Sequence, residues 1–180
     1  MPQEANNYFL SRFKDVQSAH HRNATAIALL RIFVGIFFLA FGQYKVFGTA
    51  FTLHGGFEES IRSFLAQGTY PWMAPILQHV VLPHARLCAF LTEYGELLIG
   101  LGVMFGVLTR VASIFGILLM LLLWFSAGYP GPHVALWQYF GASLEYSVFA
   151  GCFAAFIIGE PEARWSLTPR LKARIRRTAD

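Results

Sequence analysis

Four long apolar runs dominate this sequence, and no small soluble fold can bury them all. The first, 24–47, is interrupted only by Arg31 and by Gln43, Tyr44 and Lys45. The second, 87–107, carries Glu93 and Glu96; the third, 111–128, is uncharged; the fourth, 134–159, carries only Glu145. About 20 helical residues cross a hydrocarbon core, with a working range of about 17–25, so each run is long enough to cross one. The expected fold is therefore an all-α membrane protein, a four-transmembrane-helix bundle forming a single membrane domain over 1–180. Composition agrees. Charged residues make up 13% of the chain, against about 25% in a usual soluble domain, so half the expected polar surface is missing.

The links between runs set the topology. Only a short turn around Leu108, Thr109 and Arg110 separates the second run from the third, which forces an antiparallel hairpin. Tyr129, Pro130, Gly131, Pro132 and His133 join the third to the fourth, a turn dense in helix breakers. Basic residues orient the bundle. With both termini cytoplasmic, ten basic residues lie inside (Arg12, Lys14, Arg22, Arg110 and six after Glu160) against Arg62 and Arg86 outside. The first 24 residues are polar and lack the apolar core of a signal peptide, so the first helix is expected to be kept. The basic tail, 160–180, sits beside an apolar segment, where it sets topology and meets anionic headgroups. That placement argues against a nucleic-acid partner despite a net charge of +4.

The first outer connection, 48–86, is too long for a simple loop. Phe57, Ile61, Phe64 and Leu65 recur at helical spacing opposite Glu58, Glu59, Arg62 and Gln67, which predicts an amphipathic helix on the membrane surface or over the bundle mouth. The apolar stretch 72–82, broken by Pro75 and ended by Pro83, is too short to span and reads as interfacial or re-entrant.

Intramembrane charges are the functional signal. Each costs on the order of 2.5–3.5 kcal/mol to insert, so each needs a partner or a purpose. Arg31, Gly35, Gly42 and Lys45 fall on one face of the first helix, with Leu39 on the lipid side. Ala89, Glu93, Glu96 and Gly100 form a stripe on the second, and Gln138, Gly141, Glu145, Cys152 and Ala155 one on the fourth. Small residues let helices approach closely, so these stripes are expected to face one another. The third helix reads as a packing element with Ser113 and Gly116 as its small face. Glu93, Glu96 and Glu145 lie about 10–15 Å below the outer helix ends at 1.5 Å per residue. Lys45 lies above them and Arg31 below. By reach, Lys45 is expected to pair with Glu93 or Glu145, leaving Glu96 to rely on Arg31; an acid so poorly paired in an apolar medium holds an exchangeable proton. A purely structural reading, charges paired only to lock the helices, stands beside the reading as a site. The isolated outer histidines (His54, His79, His84, His133) lack the close helical pairing of metal ligands, and no metal or haem site is expected. Cys88 and Cys152 show no CxxC spacing.

Arg31-x3-Gly35-x6-Gly42-x2-Lys45, within LLRIFVGIFFLAFGQYKVFG, resembles the opening signature of the DoxX/DoxD-like membrane protein family. The second helix, EYGELLIGLGVMFGVLTRVAS, is similar to the family's Glu-containing span, and Trp165-Ser166-Leu167 resembles the motif after its last span. Thr168 stands where the family often has Asp. The resemblance covers about 28–167 and implies a four-helix bundle tied to quinone-linked redox chemistry in a bacterial or archaeal inner membrane. The long first outer connection resembles the DoxD branch, whose best-known member is the small membrane subunit of a thiosulfate:quinone oxidoreductase, which works with a second subunit. On that resemblance Glu96, Glu93 and Glu145 are the expected catalytic groups, and Lys45, Arg31, Gln43 and Tyr44 the expected quinone-binding ones. The reading from a different class is a non-catalytic anchor subunit of a larger membrane complex.

Overall fold

The computed structural model describes residues 2–159 and 164–168, with side chains described at Arg12 and Lys14 and from Val16 onward. The rest of the basic tail lies outside the described residues. All regular structure among the described residues is helical. Helix α1 runs unbroken from Pro2 to Phe47, so it begins 22 residues ahead of the first apolar run. Short α2 (Ala50–Leu53) and amphipathic α3 (Gly56–Gln67) follow. Next come α4 (Ala74–Ile76), a π-helical turn (Leu77–Val81) and a 3-10 turn (Leu82–His84), leading into α5 (Ala85–Phe105). The chain ends in α6 (Thr109–Ser126), α7 (Leu136–Gly141) and α8 (Leu144–Ile158). Three described helical stretches are long and apolar enough to cross a membrane: Val16–Phe47, Ala74–Phe105 and Thr109–Ser126. The fourth apolar helix, Leu144–Ile158, is shorter.

Glycines set the α1–α5 contact. A Cβ on Gly35 would lie 2.7 Å from the Met104 backbone, one on Gly42 3.1 Å from the Leu97 nitrogen, and one on Gly100 2.9 Å from the Leu39 nitrogen. The three contacts keep one antiparallel register, with the backbones as close as small residues permit. Leu39 therefore packs on α5, not toward lipid as its position on the wheel suggested. Gly106, at φ +67, turns the end of α5 so that the Val107 N–H reaches the Gly102 carbonyl at 2.9 Å.

The third helix packs as expected: Ser113 and Gly116 are buried, and the Phe153 ring of α8 fills the space that Gly116 leaves. Phe153 joins Val34, Phe38, Ile99, Val103, Met120 and Phe156 in the main core. The fourth run departs from expectation twice. It is not one helix, because the chain breaks at Ala142–Ser143. There the Gly128 turn presses against Ser143 and the Ser143 hydroxyl donates to the Ala127 carbonyl at 3.0 Å. Its core face is Phe153 and Phe156, not the polar stripe; Gly141, Glu145 and Ala155 are exposed.

At the other end of the bundle from the α5–α6 turn, α3 is the amphipathic helix the sequence predicts. Phe57 and Ile61 pack on Met73, Leu77 and Ala89 in a second cluster. The 72–82 stretch does not stand apart as a re-entrant segment. It continues toward α5, since Pro83 sits in the first turn of its 3-10 helix, where no backbone N–H is needed.

Candidate functional site: an ion pair on the wall of an apolar cavity

Lys45 Nζ lies 2.7 Å from both carboxylate oxygens of Glu96. Glu96 is 5% exposed, and the Lys45 side chain about a quarter exposed. The antiparallel register explains the choice of partner. Side chains on a helix lean toward its N-terminus. Lys45, on α1, leans back toward Gly42; Glu96, on the oppositely directed α5, leans toward the α3 end, and the two meet. Glu93 leans the same way but sits one turn closer to the α3 end, beyond Lys45. It is 3% exposed and accepts a hydrogen bond from the Thr52 hydroxyl of α2. The expected pairing of Lys45 with Glu93 or Glu145, with Glu96 left to Arg31, is therefore corrected.

Arg31 is corrected as well. It is fully buried at the opposite end of the bundle, about 21 Å along α1 from Lys45. Its guanidinium donates to the carbonyls of Val103 (2.5 Å) and Met104 (3.0 Å) at the end of α5, and to that of Trp165 (2.7 Å). Beside it the Ser166 hydroxyl donates to the Gly106 carbonyl at 2.6 Å and the Leu167 N–H to the Phe105 carbonyl at 3.0 Å. Arg31 thus satisfies carbonyls that a helix end leaves open and ties the 164–168 segment to α5. The short Trp-Ser-Leu motif finds its role here.

Lys45 and Glu96 border a partly open cavity of about 600 Å³ lined by residues of α1, α2, α3, α5, α6 and α8. Its walls are mainly apolar, with Phe38, Phe64, Leu77 and Met120 among them, and Glu145 and Tyr146 line it from α8. The Phe51 ring centroid lies 5.2 Å from Lys45 Nζ, a cation–π distance. Gln43 and Tyr44 are exposed and do not line this cavity, since they leave α1 on the side away from α5. Of the expected site residues, the structure brings Lys45, Glu96 and Glu145 to one cavity and sets Glu93 just behind it. Sequence reasoning missed Thr52, Phe51 and Tyr146. The first two lie in a four-residue helix too short for any periodic signal; Tyr146 is adjacent to Glu145 and faces the same cavity. Among the described residues, no three His, Cys, Asp or Glu side chains converge as metal ligands would.

A volume of this size, largely apolar with a few convergent polar groups, is that of a small-molecule site. The fold and this cavity define an α-helical membrane protein with a ligand-sized chamber bordered by an ion pair. The DoxX family model matches residues 26–128, more than half of the chain, and the protein belongs to the DoxX family. Members of that family are generally membrane proteins associated with oxidoreductase activity. The matched region contains the whole α1–α5 contact and both members of the ion pair. No curated protein and no solved structure matches the chain.

Proposed function

We propose that this chain is the membrane subunit of a quinone-linked oxidoreductase and that its cavity receives the quinone head. It crosses the inner membrane four times with both termini cytoplasmic, and a second subunit supplies electrons from a small sulfur compound such as thiosulfate. One observation carries the reading: a 600 Å³ apolar cavity with Lys45 and Glu96 on its wall. An apolar ring with carbonyl oxygens needs greasy walls and one strong donor. An ammonium has three N–H donors, and two serve the Glu96 oxygens. The third remains for a carbonyl oxygen in the cavity, and Phe51 shields it from competing water. Glu145 and Tyr146 offer an acceptor and a donor from the facing wall.

The test is binding. Protein purified in mild detergent should retain extractable quinone, or bind an added short-chain quinone saturably by tryptophan fluorescence. Lys45→Met removes one charge-assisted hydrogen bond, worth about 1.5–3 kcal/mol, so affinity should fall about 10–100-fold. A wild-type protein that neither retains nor binds quinone would leave the anchor reading in its place.

A further inference from the structure

A second, smaller cleft of about 360 Å³ lies beside the main cavity at the α3 end, and its lining is the more polar. Thr52, Glu58 and Arg86 belong to it, and so do Phe51 and Phe57. Those two phenylalanines also line the main cavity. Their rings meet edge to face at 5.6 Å, Phe51 on α2 and Phe57 on α3. One aromatic contact is thus shared by a polar cleft on one side and, on the other, the apolar chamber that holds Lys45 and Glu96.

The two ends of α3 are held very differently. Its end at Gly68 is fastened to the end of α6. The Tyr129 N–H donates to the Gly68 carbonyl at 3.0 Å, the Thr69 hydroxyl to the Ser126 carbonyl at 2.9 Å, and the Tyr70 N–H to the Phe125 carbonyl at 3.2 Å. Among the described residues, no hydrogen bond joins 55–60 to another element; that end is held by packing, Phe57 against Phe51 and within the cluster of Met73, Leu77 and Ala89. Gly55 precedes α3 at φ +82, with nothing within 4 Å of the place a Cβ would take, and Gly68 follows it at φ +130. Gly55 is therefore unhindered at the loose end, and Gly68, held by its hydrogen bonds, is the pivot. α2 does not move with α3, because Thr52 is bound to Glu93 of α5.

We propose that Phe51 and Phe57 form a gate between the polar cleft and the cavity, opened when α3 swings about its fastened Gly68 end. The gate gives the cavity an aqueous entrance for a small polar solute, separate from any path through lipid. Opening takes Phe57 and Ile61 out of the second cluster but breaks no hydrogen bond to a neighbouring element, so it is a local opening that leaves the main core intact. The inference holds whatever the cavity binds, and it goes beyond the quinone reading.

Cys88 is a built-in reporter, since it lines the main cavity while the other cysteine, Cys152, does not. In a Cys152→Ala background reconstituted in vesicles, Cys88 is labelled with a cationic, membrane-impermeant thiosulfonate present on both sides. It is labelled separately with N-ethylmaleimide, which also enters through lipid. Labelling of a transiently exposed group follows the open population, so Phe57→Ala should raise the cationic reagent's rate about tenfold and the maleimide's by less than about twofold. Phe57→Trp should slow the cationic reagent alone. Should Phe57→Ala fold poorly, Phe51→Leu gives the same readout with less lost volume. Equal acceleration of both reagents would mean general loosening and would overturn the gate, as would no change with either.

Discussion

Lys45 and Glu96 are two charges held away from water whose mutual attraction offsets the cost of leaving it. Breaking a fully buried pair by removing one partner costs about 3–5 kcal/mol; with the Lys45 side chain a quarter exposed, Lys45→Met should destabilise the protein by about 2 kcal/mol. Glu96→Gln should cost a similar amount by stranding the ammonium. The double variant Lys45→Met/Glu96→Leu strands neither charge. Its destabilisation should therefore be smaller than the sum of the single losses, a coupling readable as a double-mutant cycle from thermal unfolding in detergent. Strict additivity would show that the pair contributes nothing. That these charges would be buried and would need partners was legible from the rarity of charge in apolar runs. Which carboxylate Lys45 takes was not: depth counted from helix ends ignores the direction in which side chains leave a helix, and that direction brings Lys45 to Glu96 and sends Glu93 to Thr52. Arg31 shows the same limit. A buried arginine on the lysine's face looked like part of one polar core, yet the carbonyls that close the far end of α5 were nearer.

Among the elements, the α1–α5 pair is where sequence pattern and packing agree best. Gly35, Gly42, Ala89 and Gly100 were marked as a close-approach seam by spacing alone, and all four are buried. Their tolerance differs in a way only geometry reveals. A methyl on Gly35 would sit 2.7 Å from the Met104 backbone, which cannot yield without shifting a helix, whereas one on Gly42 meets the Leu97 nitrogen at 3.1 Å. Gly35→Ala should therefore lower folded yield and melting temperature clearly, in the about 1–3 kcal/mol range of overpacking. Gly42→Ala should cost less, because a few tenths of an ångström suffice. Size-exclusion profiles and thermal unfolding of the two variants decide it, and the reverse order would mean the register is wrong. The fourth run was the least legible element. Its apolar length concealed a break made by a tertiary contact, the Gly128 turn against Ser143, and no local property of 141–143 announces it. Its core face was likewise misjudged, because on a helix this apolar the small-residue stripe and the aromatic stripe are equally good candidates until the Gly116 niche selects Phe153.

At the scale of the whole molecule, the break in the fourth run raises the question of how often the chain crosses the membrane. Helix α8 has 15 residues, about 22 Å at 1.5 Å per residue, short of a hydrocarbon core of about 30 Å. Its ends nonetheless lie at opposite ends of the bundle. Ser143 bonds Ala127 beside the α3 latch, and beyond α8 the 164–168 segment is stitched to Phe105 and Gly106 at the α5–α6 turn. The chain thus returns from one end of the bundle toward the other, and if α8 crosses the bilayer, local thinning would take up the mismatch at a modest cost. Helix α1 has the opposite excess: 46 residues make about 69 Å, so roughly half of it projects beyond the core on the side of its N-terminus. Four crossings would place both termini on one side, and by the positive-inside rule the basic residues would make that side cytoplasmic. Reporters fused after Asp180 and after Glu4 should accordingly both be active in the cytoplasm, and one inserted within 55–67 outside it. An external C-terminal reporter with a cytoplasmic N-terminal one would mean three crossings, with α8 lying within the membrane instead of through it. Glu145 would then no longer face Lys45 across a chamber, and the cavity would have to be rebuilt from α1, α3, α5 and α6 alone.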